Sequence, residues 1–432
     1  MPRSFYTILA AQFFSALADN ALLIGAIALL RDLHAQEQYE PLLRLVFTVS
    51  YVVLAAFVGA FADSMPKGRV MLISNTIKIA GCLLLLVSFN PVHPLIAYAI
   101  VGIGAAAYSP AKYGILTELL PSRLLVVANG WIEGLTVVAI ILGTLLGGIL
   151  ITPAVVAKLL AIDIPGISTN VTTGPQIAIL IIGVIYLIAA WFNLYIPDTG
   201  VDHKPIRKTP LYLVYDFAHS VRLLWRDKLG QISLVVTTLF WGAGAALQFI
   251  VLKWANDKLH MPLEKATVFQ GVVAVGIALG SILAAKTISL EKSTKVLPIG
   301  IFMGVVTMTM IFVTNIYLAM ILLVVIGAIA GFFVVPMNAL LQHRGHILMG
   351  AGHSIAVQNF NENIGILAMM VVYTQLVAMD ASVDTIVVLF GLFVMGVMVL
   401  VMRWHKGNMK AHGPEIKRLL EVARSGSAPH HS

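Results

Sequence analysis

The stretch "GAFADSMPKGRV" (Gly59–Val70) places a short charged turn between two long apolar runs. Asp63, Lys67 and Arg69 lie within seven residues, whereas each flanking run contains a single charged residue. A run of about 20 apolar residues is long enough to cross a lipid bilayer as a helix. The pattern therefore predicts two membrane-spanning helices joined by a tight polar turn.

The composition of the whole chain is also typical of a membrane protein. Of its 432 residues, 59% are hydrophobic and only 11% are charged, against about 25% charged in a typical soluble domain. The net charge of +8 does not indicate a nucleic-acid partner, because the basic residues are spread over many loops rather than clustered on one face. The only cysteine, Cys82, excludes a disulfide or a cysteine-based metal site within the chain. No cofactor is indicated.

Twelve apolar runs are candidates for membrane-spanning helices. They are roughly 5–30, 44–62, 70–89, 95–116, 126–151, 177–196, 231–255, 266–285, 296–314, 317–341, 353–379 and 384–403. The longest polar interruption separates the sixth run from the seventh.

The predicted fold is an all-α integral membrane protein with two six-helix bundles. The first bundle covers 1–196, a central loop covers 197–230, the second bundle covers 231–404, and a basic tail covers 405–432. Lysine and arginine accumulate in the cytoplasmic loops of membrane proteins. Here 20 of them fall on one side of the predicted spans and 4 on the other. The bias predicts that both termini and the central loop are cytoplasmic.

The two halves of the chain resemble each other. Pro110 in the fourth run matches Pro336 in the tenth, and Phe14 matches Phe240, both at an offset of 226 residues. Glu133 in the fifth run and Glu362 in the eleventh follow at an offset of 229. Chance similarity among apolar segments is the alternative. Duplication is favoured, and parallel repeats are a common transporter architecture with a substrate site near the midplane.

Asp19 is the clearest candidate for a functional residue inside a span. It lies near mid-depth in the first run, beside Asn20 and on the same helical face as Gln12 and Ser15. A carboxyl group at the centre of a membrane helix costs about 2.5–3.5 kcal/mol on insertion scales and so indicates function by default. The alternative is a structural acid bonded to a neighbouring helix.

Two further acids lie nearer the cytoplasmic ends of their spans. Glu133 follows Asn129 by four residues in the fifth run, and Glu362 follows Gln358 by the same spacing in the eleventh. Each pair shares one helical face. A role in substrate binding and a structural role such as helix capping are equally open for both acids.

Lys112, two residues after Pro110, is predicted to be the only basic side chain of the first half that reaches the same cavity as Asp19. Extension of its side chain to the cytoplasmic surface is the alternative. Snorkelling or a helix–helix pair is expected for Lys78, and snorkelling for Lys253. An acid at mid-depth and a lysine towards the cytoplasm suit a zwitterionic substrate, whether an amino acid, a peptide or a phospholipid head group.

The opening stretch resembles the loop motif of the major facilitator superfamily, G-x-x-x-D-[RK]-x-G-[RK]-[RK]. The matching positions are Gly59, Asp63, Gly68 and Arg69. One extra residue is present, and Ser64 occupies a basic position. The resemblance implies a cytoplasmic gate, with Lys67 among its charged groups, in which Asp63 bonds a helix N-terminus or a basic residue and releases it on opening. The alternative is an ordinary tight loop.

Several longer segments resemble one family within that superfamily, the bacterial lysophospholipid transporters. They are "SALADNALL" (15–23), "FVGAFADSMPKGRVM" (57–71), "GIGAAAYSPAKYGIL" (102–116), "FWGAG" (240–244), "AGFFVVPMNALLQ" (330–342) and "AVQNFNEN" (356–363). The resemblance implies movement of lysophosphatidylethanolamine and related lysolipids from the outer to the inner leaflet of the inner membrane. A separate acyltransferase and acyl-carrier-protein synthetase would then reacylate them. It also implies that Asp19 and Lys112 handle the head group.

One position departs from the family pattern. The family has an arginine shortly after "FWGAG", whereas this chain has Gln248, which can bond a phosphate but cannot attract it by charge. No acyltransferase motif H-x-x-x-x-D occurs at any histidine, so transport without enzymatic activity is expected. A drug or cation antiporter is the alternative function, because Gly134, Gly143 and Gly147 keep the glycine spacing of the antiporter motif, although Gly148 replaces its proline.

Overall fold

The structure is a computed structural model that describes residues 2–35, 39–87, 90, 92–161, 173–202, 209–261 and 263–425. Throughout these ranges the chain forms helices joined by short connections, and they contain no β-strand. Lys204, Arg207 and Lys208, which contribute to the predicted charge bias, lie outside the described residues, as does the end of the basic tail.

Twelve helices in the described part are long and apolar enough to cross a membrane, as the sequence predicts. They are α1 (Arg3–Asp32), α2 (Tyr39–Asp63), α3 (Lys67–Leu86), α4 (Val92–Leu119), α5 (Leu125–Leu150), α7 (Gly174–Asn193), α9 (Gly230–Leu259), α10 (Leu263–Thr287), α11 (Leu297–Met308, with 3₁₀ turns at Leu290–Val296 and Thr309–Phe312), α12 (Ile316–Met349), α13 (Ala351–Ala378) and α14 (Val383–Ser425). Pro110 and Pro336 both lie inside helices, in α4 and α12.

Two shorter helices lie between the spans and were not predicted. α6 covers Pro153–Leu160, and α8 covers Pro210–Arg226 in the predicted central loop. In α8, Phe217 and Leu224 are buried at helical spacing, and Phe217 makes an edge-to-face contact with Phe360 of α13. A search for apolar runs of membrane length misses α8, because its apolar residues occupy one stripe of a short helix.

The last helix continues beyond the predicted end of the twelfth span. α14 extends to Ser425, and its helical geometry is interrupted at His412, two residues before Pro414. Ile416 is fully buried in this extension. The described part of the predicted basic tail is therefore a helix that packs against the protein.

The chain folds into two compact units that do not follow the order of the sequence. The first comprises residues 1–115 and 138–214, and the second comprises 116–137 and 215–432. The first unit therefore contains the later part of α5, and the second contains the earlier part. The division into bundles over 1–196 and 231–404 stays a prediction.

In the first unit, α1 and α3 both pack against α7. The later part of α5 approaches α1 through two glycines. A Cβ atom at Gly147 would lie 2.8 Å from the carbonyl oxygen of Ala21, and one at Gly143 would press on Leu17 and Asn20 of the same helix. This spacing of small residues lets two membrane helices approach closely. Two of the three glycines that suggested an antiporter motif therefore have a packing role.

In the second unit, α10 and α12 pack together through a matched pair of glycine motifs. Gly276 and Gly280 of α10 face the backbone of α12, and Gly327 and Gly331 of α12 face the backbone of α10. Each motif has a spacing of four residues, which puts both glycines on one helical face. The backbones of α10 and α12 are in direct contact at these glycines, and the contact leaves no room for a side chain.

Candidate functional site

The carboxylate of Asp19 is the meeting point of three helices of the first unit. Asp19 lies near the middle of α1, and its Oδ2 accepts a hydrogen bond of 2.8 Å from Nζ of Lys78 on α3. Its Oδ1 accepts a hydrogen bond of 2.6 Å from the hydroxyl of Tyr186 on α7. The side chain is still 22% exposed. A charged group in the middle of a membrane helix is therefore both paired and accessible.

Lys78 is enclosed by polar and aromatic groups of the same unit. Its side chain is 1% exposed, and its Nζ donates a second hydrogen bond of 3.0 Å to the hydroxyl of Ser15. The ammonium also lies 4.9 Å from the centre of the Tyr108 ring, within the range of a cation–π interaction. Gly104 has no side chain and so leaves room for this lysine. A Cβ atom at that position would lie 2.7 Å from Cγ of Lys78.

This geometry decides one expectation about the basic residues and corrects another. Lys78 does not snorkel to the surface; it forms the helix–helix pair that was the other possibility, and its partner is Asp19. Lys78 therefore reaches Asp19, which corrects the expectation that Lys112 is the only basic residue of the first half to do so. Lys112 is half-buried, and its Nζ lies 4.1 Å from the centre of the adjacent Tyr113 ring. Its role in head-group handling stays a prediction.

Asn20 has a more local role in the structure. Its amide nitrogen donates a hydrogen bond of 2.8 Å to the carbonyl oxygen of Ala16 in its own helix, and its Cβ lies against Gly143. This contact places the half-buried Asn20 where α5 meets α1. The predicted part of Asn20 in substrate binding remains untested.

In the second unit, Asn338, which was not singled out from the sequence, links three predicted site residues. These are Glu133, Gln358 and Glu362. Asn338 on α12 donates a hydrogen bond of 3.2 Å to Oε1 of Glu133 on α5. The oxygen of Asn338 accepts a bond of 3.0 Å from Gln358, whose nitrogen also lies 2.7 Å from Oε1 of Glu362. All four side chains are buried. The two acids at matching positions of the predicted repeat thus belong to one hydrogen-bonded cluster.

A reciprocal amide pair lies beside this cluster. Asn129 of α5 and Gln342 of α12 exchange two hydrogen bonds, each of 2.9 Å. Asn338 and Gln342 stand four residues apart towards the polar end of a long apolar run, so the same spacing that drew attention to Glu133 could have identified them. Buried amides that satisfy each other in this way hold two helices in one register.

Gln248, at the position where the resemblance implies an arginine, is paired within the second unit. Its amide nitrogen donates a hydrogen bond of 3.1 Å to the oxygen of Gln270 on α10, and the side chain is half-buried. Lys253, further along α9, forms an ion pair of 3.0 Å with Asp257. The expectation that Lys253 snorkels stays a prediction.

The predicted gate residues form a compact turn in the first unit. Lys67 donates a hydrogen bond of 2.8 Å to Asp63 and another of 2.7 Å to the carbonyl oxygen of Ala62. Gly59 is buried, whereas Arg69 is exposed. The turn ends α2 and begins α3, with Lys67 buried beneath it. The role of this turn as a gate stays a prediction.

Comparison with known proteins agrees with the fold and with the resemblance of the segments. A family model described as Major Facilitator Superfamily matches residues 8–370. A protein of Serratia proteamaculans (strain 568) named "Lysophospholipid transporter LplT" is 40% identical over 375 residues, which are 87% of this chain and 88% of the relative. A protein of the same name from Yersinia pestis (strain Pestoides F) is 39% identical over 89% of both chains.

Solved structures of transporters share the fold at low sequence identity. The human organic anion transporter MFSD10 (TETRAN) superposes with a TM-score of 0.69 at 14% identity, covering 94% of this chain and 100% of the other. The E. coli fucose:proton symporter FucP gives a TM-score of 0.70 at 12% identity, covering 93% and 99%. The chain is therefore a multi-pass membrane protein of the Major Facilitator Superfamily and belongs, within it, to the family of the relatives named LplT.

Proposed function

We propose that the protein moves lysophospholipids, and lysophosphatidylethanolamine above all, from the outer to the inner leaflet of the bacterial inner membrane. Both termini and the central loop are cytoplasmic in this proposal. A separate acyltransferase and acyl-carrier-protein synthetase reacylate the delivered lysolipid, and the protein itself catalyses no reaction. The names of its relatives support the substrate class, and the charge bias of the loops supports the orientation.

The observation that carries the proposal is the partly exposed ion pair of Asp19 and Lys78. The pair has no net charge, yet the side chain of Asp19 is 22% exposed. A cationic substrate gains little net attraction from a neutral pair, because the charge of Lys78 opposes that of Asp19. A zwitterion can place its ammonium at Asp19 without bringing a net charge into the membrane interior. The site therefore favours a phosphoethanolamine head group over a simple cation.

The proposed cycle uses the two repeats of the chain as rocking bodies. A lysolipid enters sideways from the outer leaflet, with its head group first and its single acyl chain against apolar helix faces. The ammonium contacts Asp19, with Asn20 beside it, and the phosphate moves towards Lys112. The cluster of Glu133, Gln358 and Glu362 and the polar Gln248 contact the head group in the later steps. The gate around Asp63 then opens to the cytoplasm.

Transport by purified protein in proteoliposomes tests this proposal. We expect a fluorescent lysophosphatidylethanolamine to cross at least tenfold faster than in empty vesicles, as measured by extraction of the outer leaflet with albumin. A single-chain quaternary ammonium amphiphile with the same fluorophore should cross at least tenfold more slowly than the lysolipid. The opposite ranking, with the cation preferred, would contradict the proposal and favour the antiporter. Imposed sodium or pH gradients identify the coupling ion.

A further inference from the structure

We infer that Lys78 sets the net charge of the head group that the protein accepts. The inference rests on the proposed function and extends it to a residue that contacts the substrate only through Asp19. Lys78 is thus a positioning residue, which keeps the mid-membrane site electrically neutral.

The burial of the two partners supports this division of roles. The side chain of Lys78 is 1% exposed and that of Asp19 is 22% exposed. A head group that approaches the pair therefore meets the carboxylate, and the ammonium of Lys78 stays behind it. Because the two charged atoms are 2.8 Å apart, each largely cancels the field of the other at distances well beyond that separation, whereas a ligand in direct contact with Asp19 still interacts mainly with the carboxylate.

The surroundings of Lys78 explain why it remains in place while a ligand binds. Its ammonium contacts the Asp19 carboxylate, the Ser15 hydroxyl and the face of the Tyr108 ring. These contacts come from α1 and α4, and the hydroxyl of Tyr186 on α7 holds the other oxygen of the same carboxylate. Asp19 is thus oriented by two donors, and its exposed surface can accept a hydrogen bond from a ligand ammonium.

Removal of one charge should change selectivity in a direction set by its sign. Without Lys78, the site carries the charge of Asp19 alone, attracts a cationic head group and repels an anionic one. Without the carboxylate, the site carries the charge of Lys78 and has the opposite preference. Specificity of this kind depends on repulsion as well as attraction. Substitution of a residue that only supports the fold would instead lower the transport rates of all substrates by the same factor.

The experiment compares three single-chain lipids in proteoliposomes: lysophosphatidylethanolamine, anionic lysophosphatidylglycerol and a quaternary ammonium amphiphile. We expect Lys78→Gln to shift the ratio of cation to lysophosphatidylglycerol transport at least tenfold towards the cation. Asp19→Asn should shift the same ratio at least tenfold towards lysophosphatidylglycerol. The double variant should return the ratio to within about threefold of the wild-type value, even if its rates are low.

Lys253→Gln is the matched control, because Lys253 also pairs with an aspartate on a membrane helix. It should leave the ratio unchanged. The inference would be overturned if Lys78→Gln reduced the transport rates of all three lipids equally, or left the ratio of cation to lysophosphatidylglycerol transport unchanged. If Lys78→Gln does not fold, the same ratio is measured in Asp19→Asn. An unchanged ratio in that variant would overturn the inference. Wild-type protein that moves neither lysolipid faster than empty vesicles would instead defeat the proposed function.

Discussion

Asp19→Asn should lower the rate of lysophosphatidylethanolamine transport at least tenfold while the protein remains folded. The substitution keeps the shape of the side chain and a hydrogen-bond acceptor for Tyr186, but it removes the charge that would bind the ammonium. A hydrogen bond to a charged group contributes about 1.5–3 kcal/mol, and every 1.4 kcal/mol corresponds to about tenfold in binding. Initial rates in proteoliposomes, normalised to folded protein, measure the effect.

Asp257→Asn is the control for this prediction. Asp257 also pairs with a lysine of its membrane helix, but it is 39% exposed near the end of α9. We expect the Asp257→Asn substitution to change the rate of lysophosphatidylethanolamine transport less than twofold. Because Asp19→Asn leaves Lys78 buried without a carboxylate, some loss of stability is also expected. Folded Asp19→Asn protein that transports the lysolipid at the wild-type rate would rule out the assigned role of the acid.

Gly280→Ala should produce the largest loss of stability among conservative substitutions in the second unit. The added Cβ atom would overlap the backbone carbonyl of Ala328 on α12, and a backbone atom cannot turn aside as a flexible side chain can. Overpacking of a well-packed interior costs about 1–3 kcal/mol, and here the two helices must separate along their contact. We expect a lower thermal unfolding midpoint in detergent and a lower yield of monodisperse protein.

Gly271→Ala is the matched control on the same helix, because a Cβ atom at Gly271 has no heavy atom within 4 Å among the described contacts. Alanine has a higher helix propensity than glycine, so this variant should be as stable as the wild type or slightly more stable. Equal unfolding midpoints for the two variants would show that α10 and α12 are not in the close contact described here.

Much of the fold could be predicted from the sequence because the bilayer imposes a length and a polarity on each span. The runs around Asp19 and Pro336 are long and apolar, and both proved to be helices of membrane length. The same criterion failed for α8, which is amphipathic and too short for a span. It also could not show that α14 continues to Ser425, because the extension is polar; in the structure the extension is helical and Ile416 within it is buried.

The candidate site could be predicted only in part. The cost of a carboxyl group in hydrocarbon identified Asp19, and helical spacing identified Glu133, Gln358 and Glu362. The partner of Asp19 could not be read from the sequence, because it depends on how α1, α3 and α7 pack against one another. A lysine in an apolar run can snorkel or pair with another helix, and only the arrangement of the helices decides between these outcomes for Lys78.

In the proposed cycle, the carboxylate of Asp19, accessible within the membrane, binds the ammonium of the head group. Equilibrium binding to the purified protein in nanodiscs tests it most directly, with lysophosphatidylethanolamine compared against its N-acetyl derivative, which lacks the positive charge. We expect at least tenfold tighter binding of the amine by the wild type, and loss or reversal of that preference in Asp19→Asn. Equal affinities of the wild-type protein for the two lipids would contradict it.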